Sequence, residues 1–97
     1  MSDIVITHHP TRHCFEAVVE DLPCTCAYLI EGRTMVFTST RVPSALGGRG
    51  IAAALVQSAL VWAREQGYRV RPDCSYVHRY IEQHKATQDL LVENYRL

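Results

Sequence analysis

The chain has 97 residues, 47% of them hydrophobic, and its Lys and Arg residues balance its Asp and Glu residues to a formal net charge of zero. That size supports one modest core, so a single domain over residues 1–97 is the expectation. The neutral balance gives no electrostatic footprint for nucleic acid or an anionic membrane. The opening MSDIVITHHP has the pattern of neither a secretory signal nor a transit peptide, and no apolar run approaches membrane-spanning length, so a soluble cytoplasmic protein is expected.

Within Asp3 to His8, Ile4 and Ile6 alternate with polar neighbours, which predicts a short strand. Pro10 makes His9 to Arg12 a turn. Phe15 to Glu20 predicts a second strand, Asp21-Leu22-Pro23 its turn, and Cys24 to Ile30 a third strand. Glu31-Gly32-Arg33 reads as a hairpin turn into Thr34–Arg41, a fourth strand rich in β-branched residues. These connections are too short for crossover helices, so the four strands should be antiparallel neighbours.

Helical period follows from Gly48 to Gln66. Ile51, Leu55, Ala59 and Trp62 form one stripe, flanked by Ala52, Val56, Leu60 and Ala63, and Gly67 provides a stop. Tyr68 to Arg71 predicts a short fifth strand cut off by Pro72, and the intervening helix allows it to lie parallel to the fourth. Cys74 to His84 predicts a second helix, with Asp73 or Ser75 as cap and Val77, Tyr80 and Ile81 facing inward. The tail from Ala86 to Leu97 fits either a short helix or a closing strand.

The cysteines are Cys14, Cys24, Cys26 and Cys74. Cys24 and Cys26 have C-x-C spacing, but no second C-x-x-C or H-x3-5-H pair completes a zinc site, so no metal is expected. On a strand they share one face, where small buried residues are common.

The stretch Val42–Val56, VPSALGGRGIAAALV, carries the clearest chemical signal. Its glycines let backbone N–H groups converge without side-chain bulk. The start of the following helix adds unsatisfied donors and a partial positive charge, which suits a phosphate or pyrophosphate. No Gly-Lys-Ser/Thr closes the loop, which excludes a P-loop, and the dinucleotide fingerprint is also missing. The same glycines could equally serve only to start a helix tightly.

The loop resembles the acyl-CoA loop of the GNAT-type N-acetyltransferases, Q/R-x-x-G-x-G/A. Gly48-Arg49-Gly50 supplies the G-x-G, and Ala45 stands where Gln or Arg is usual. With Cys74-Ser75-Tyr76-Val77 and Tyr80-Ile81-Glu82-Gln83-His84 downstream, the chain looks like the small single-domain GNAT-like proteins that lack the helices between the first two strands. The resemblance implies an α/β acyl-CoA N-acyltransferase fold: four antiparallel strands, helix, parallel fifth strand, helix. It implies acetyl-CoA as co-substrate, with the pantetheine arm between splayed fourth and fifth strands near Arg41, Val42 and Pro43. The pyrophosphate would rest on backbone N–H groups of Leu46, Gly47, Gly48, Arg49, Gly50, Ile51 and Ala52. Related small proteins often carry Glu, a candidate base, where this chain has Arg41; Gly47 and Lys85 replace a frequent basic residue and a frequent proline.

Cys74 begins a predicted helix, whose dipole favours thiolate, while Asp73 beside it opposes. It could take the acyl group, pair with CoA as a mixed disulfide, protonate the leaving thiolate, or be a small buried residue. Tyr76 and Tyr80 share a helix face, and the resemblance gives Tyr80 as the donor to departing CoA; a core aromatic is the plainer reading. His78 and His84 could relay protons or cap the helix end, and Glu16 and Glu20 are substitute bases or exposed strand residues. Trp62 reads as core. The expected function is acetyl transfer to an amine. With the covering helices missing, an exposed protein or polyamine amine fits the open acceptor side. A non-catalytic CoA-binding module, which Arg41 favours, and a plain interaction domain are the other readings.

Overall fold

The computed structural model describes residues 4–97, so Asp3, at the start of the expected first strand, lies outside the described residues. The strands are β1 (Thr7–His9), β2 (Cys14–Val19), β3 (Leu22–Glu31), β4 (Thr34–Arg41) and β5 (Arg69–Pro72), with helices α1 (Ile51–Gln66) and α2 (Ser75–Gln83). They form one sheet in the order β1-β2-β3-β4-β5. The pairings from β1 to β4 are antiparallel and β4–β5 is parallel, as the α1 crossover requires.

Two periodicities meet in the core. Every second residue of the sheet points to one face, and Phe15, Ala17, Cys24, Cys26, Tyr28, Met35, Phe37 and Val70 are buried there. Against them α1 packs Ile51, Leu55, Val56, Ala59, Leu60 and Ala63, and α2 adds Val77, Tyr80 and Ile81. Trp62 lies at the rim, partly buried against this cluster. The alternate positions Val18 and Leu29 remain exposed.

The differences from the sequence expectation are local. The β2–β3 hairpin turns on Glu20 and Asp21, both at positive φ (52° and 65°), instead of on Asp21-Leu22-Pro23. Leu22 and Pro23 pair within the sheet, opposite Val19 and Val18. A two-residue left-handed turn matches strand twist. Pro23 is tolerated because β3 pairs with β4 only from Thr25 onward, so Pro23 has an unpaired side for its missing donor. The ladder of β1 is confined to Thr7–His9, while Ile4 and Ile6 pack on the core without joining it. The tail combines both expectations: a 3-10 helix at Lys85–Leu90, then a parallel bridge from Leu91 to Val70. The N-cap of α2 is Cys74, without a side-chain cap bond. Asp73 does not cap because Arg71 holds its carboxylate, at 3.1 and 3.3 Å.

An aromatic cluster closes the β1 end. His8 stacks on Phe15 with centroids 4.0 Å apart, meets Trp62 edge-on at 4.5 Å, and places Nε2 2.6 Å from the Tyr28 hydroxyl. Burial, then the neighbouring His9, push the His8 pKa below its ordinary 6.5. The folded state therefore prefers neutral His8, and its contribution is intact above pH 6.5. It declines as pH falls below that value, because the unfolded chain takes a proton that the folded one refuses. Urea midpoints at pH 7.5 and 5.5 should drop less in His8→Gln than in the unaltered protein.

Candidate functional site

The site begins where β4 parts from β5. The parallel ladder runs from Thr34↔Arg69 to Phe37↔Pro72 and ends there. On the other side, β4 skips a register against β3: Tyr28 faces Phe37 but Ala27 faces Ser39, leaving Thr38 as a bulge. A bulge bends and twists its strand. Pro72 has no N–H with which to prolong the ladder. From Thr38 to Arg41, β4 keeps β3 as its one strand partner, and a wedge opens on the side facing away from β3. At its apex the Cys74 N–H donates to the Phe37 carbonyl, 2.9 Å.

Arg41, Val42 and Pro43 carry the chain from the wedge into the glycine loop. Ser44–Leu46 form a 3-10 turn, and Leu46, 1% exposed, anchors it in the core. The Leu46 N–H donates to the Pro43 carbonyl (2.9 Å) and the Gly47 N–H to the Ser44 carbonyl (3.1 Å), so these two donors serve the turn itself. Gly48 and Gly50 then take φ of 80° and 77°, a region other residues enter at a cost. A Cβ at either would meet nothing within 4 Å, so backbone conformation and not crowding requires glycine here.

Gly50 is the N-cap of α1, which has no side-chain cap bond, and the first helical bond is Ala54 N–H to the Gly50 carbonyl, 3.1 Å. The N–H groups from Gly48 to Ala53 thus have no backbone acceptor among the described residues. They form a row of donors at the positive end of α1, beside the wedge. Arg49 is ion-paired with Glu20 at the tip of the β2–β3 hairpin.

Cys74 is 9% exposed at the wedge apex, with its Sγ 3.5 Å from Thr40 Oγ1. Thr40 also reaches Cys26 Sγ, 4.0 Å away, and burial pushes the Cys26 thiol up to about 12. Tyr80 is equally buried but lies against α1, lining a cleft of about 310 Å³ with Leu60, Val61, His84 and Leu90. It stacks on His84 at 3.8 Å, and His84 Nδ1 donates to the Tyr80 carbonyl, 2.7 Å. Tyr76, one turn earlier, is 37% exposed. Burial raises both tyrosine pKa values. Among the described residues neither tyrosine hydroxyl is hydrogen-bonded to Cys74.

Two carboxylates considered as bases are occupied elsewhere. Glu16 accepts from His9 at 3.1 Å and lies 3.8 Å from Arg12 at the β1 edge. Glu20 is taken by Arg49. His78 Nδ1 donates to the Tyr95 hydroxyl (2.7 Å), which donates to the Pro72 carbonyl (3.2 Å), tying the tail to the β5–α2 turn. Thr40 and the Glu20–Arg49 pair were missed by the sequence reading. Thr40 has only its place two residues before Val42 to signal it, and Glu20 depends on the exact hairpin turn.

This sheet, with its parallel β4–β5 pair, terminal wedge and glycine loop capping the crossover helix, is an α/β N-acetyltransferase-type fold. A family model of GCN5-related N-acetyl-transferases matches residues 14–90, and the chain belongs to that family. The solution structure of a GCN5-like protein from Staphylococcus aureus is similar in fold, with a TM-score of 0.75 at 20% identity over 99% of this chain and 95% of that one. No curated protein gives a significant match.

Among the described residues no cluster of His, Cys, Asp and Glu suits a metal ion. No described helix is long and apolar enough to cross a membrane.

Proposed function

We propose that this protein binds acetyl-CoA and transfers its acetyl group to an amine. The observation carrying this reading is the row of uncommitted N–H groups from Gly48 to Ala53 beside the open edge of Thr38–Arg41. The row suits a pyrophosphate, which accepts several short hydrogen bonds at a helix start. The open β4 edge suits an extended arm carrying amides, because unpaired strand groups need partners of that kind. Arg49 can exchange Glu20 for a phosphate, and Leu46 and Gly47 shape the loop while Ile51 and Ala52 complete the donor row.

In the reaction the amine attacks the thioester carbonyl, the C–S bond breaks, and its electron pair stays on the CoA sulfur. In this reading Cys74, at the wedge apex, gives that sulfur its proton. Tyr80, directed into the α1–α2 cleft, is the alternative donor, with Tyr76 beside it on the more exposed part of α2. With Arg41 at the end of β4 and both Glu16 and Glu20 held by other side chains, the acceptor must arrive as the free amine or lose its proton to water. The exposed part of the sheet around Val18 and Leu29 leaves room for an exposed protein or polyamine amine. A cytoplasmic setting belongs to this reading.

The test is CoA release from acetyl-CoA across small amines, polyamines and lysine peptides. Turnover is expected with at least one of them. Cys74→Ser should lower kcat roughly a hundredfold, within the range for a general acid, and Tyr80→Phe by less than about threefold. The reverse ranking would transfer the role to Tyr80. Binding without turnover would favour a CoA-binding module, the second reading, for which the occupied glutamates and Arg41 speak.

A further inference from the structure

Two thiols share one hydroxyl at the wedge. Thr40 Oγ1 stands between Cys74 Sγ at 3.5 Å and Cys26 Sγ at 4.0 Å. A threonine hydroxyl has a single hydrogen, so it donates to one sulfur at a time. Cys26 is 0% exposed on β3, and burial keeps its thiol protonated. While Cys74 carries its proton, one arrangement satisfies all three groups: Cys74 S–H donates to Thr40, and Thr40 donates to Cys26.

Loss of the Cys74 proton changes the preference. A thiolate can only accept, and a hydrogen bond to a charged acceptor is about twice as strong as a neutral one. The bond given up at Cys26 is weak, since a thiol sulfur is a poor acceptor. Rotation of the hydroxyl hydrogen about the Cβ–Oγ1 bond accomplishes the exchange, with no backbone movement.

We propose that Thr40 is a positioning residue for Cys74: it receives the resting thiol's hydrogen bond and turns its own hydrogen onto the sulfur once the proton has left. In the transfer reaction, on which this part of the inference rests, the C–S electron pair remains on the CoA sulfur, which takes the Cys74 proton. Thr40 then holds the Cys74 thiolate until the proton released by the acylated nitrogen returns through solvent. The hydroxyl exchange itself belongs to this chain and needs no bound ligand.

Other ionisable groups lie on the same turn as Cys74 and on the neighbouring elements. Asp73 precedes it, held by Arg71, which also lies 3.5 Å from Glu31. His78 and Tyr95 are bonded to each other behind Pro72. Tyr76 and Tyr80 lie on α2, Arg41 ends β4, and Cys14 and Cys26 lie on β2 and β3. Thr40→Val leaves all of these in place and replaces the hydroxyl with a methyl group.

The experiment is iodoacetamide labelling of Cys74 from about pH 6 to 10, with peptide mass spectrometry separating it from Cys14. Thr40→Val should label Cys74 about tenfold more slowly near pH 7.5 and match the unaltered protein at high pH, as loss of a hydrogen bond to a charged group implies. Thr40→Ser should restore the profile. Thr40→Ala, which brings no new apolar bulk, should behave as Thr40→Val does. An unchanged profile, a rate altered equally at every pH, or no rescue by serine would overturn the proposal. A shifted profile in a protein that never turns over acetyl-CoA would leave the Thr40 role intact and sink the enzyme reading instead.

Discussion

Glutamate at both Gly48 and Gly50 should weaken acetyl-CoA binding more than about a hundredfold, a loss of roughly 3 kcal/mol. Both positions have open space around a hypothetical Cβ, so the carboxylates can be accommodated on the loop without entering the core. They would place negative charge on the loop where the pyrophosphate is expected and compete with it for the N–H groups at the start of α1. Each substitution also forces a side chain onto positive φ, at about 1–2 kcal/mol apiece. Gly48→Ala/Gly50→Ala imposes the same backbone cost without the charge. It should melt lower by a similar margin yet bind within about tenfold of the unaltered protein. Calorimetric titration at a temperature where circular dichroism shows each variant folded separates the two effects. Equal losses in the alanine and glutamate pairs would mean that loop geometry alone, not the anion site, is at stake.

Phe37→Ala should cost about 3–5 kcal/mol of stability. Phe37 is 0% exposed, and it sits at the last rung between β4 and β5, immediately before the Thr38 bulge. Removing its ring empties the centre of the core beneath the wedge, close to where its own carbonyl receives the Cys74 N–H. Against the 5–15 kcal/mol typical of a small domain, the loss is a large share. The urea midpoint should fall by roughly 2 M, whereas Val18→Ala, at an exposed position, should stay within about 0.5 kcal/mol. A small effect at Phe37 would mean that the wedge apex is not packed as described.

The parts of the fold legible in the sequence were those with strong periodicity. The Ile51–Ala63 stripe, the Thr34–Arg41 strand and the inward Val77, Tyr80 and Ile81 all stand where period predicts them. What escaped depended on pairing. A turn on Glu20-Asp21 cannot be told from one on Asp21-Leu22-Pro23 by composition, because left-handed backbone at Glu20 is a consequence of strand register. The Thr38 bulge, which opens the wedge, leaves no mark in TMVFTSTR. The donor row was readable from the glycines, but the commitment of the Leu46 and Gly47 donors to their own turn follows from the 3-10 geometry of Ser44–Leu46, which composition does not reveal. Cys74 stood out by chemistry; its partner Thr40 did not, since threonine is an ordinary strand residue.

Amide chemical-shift mapping of the 15N-labelled protein during an acetyl-CoA titration, under reducing conditions, would show where the cofactor binds. Saturable shifts are expected to concentrate at Gly48 to Ala53 and at Thr38 to Arg41, the donor row and the open strand edge. No shifts, or shifts confined to the α1–α2 cleft around Leu60, His84 and Leu90, would contradict it.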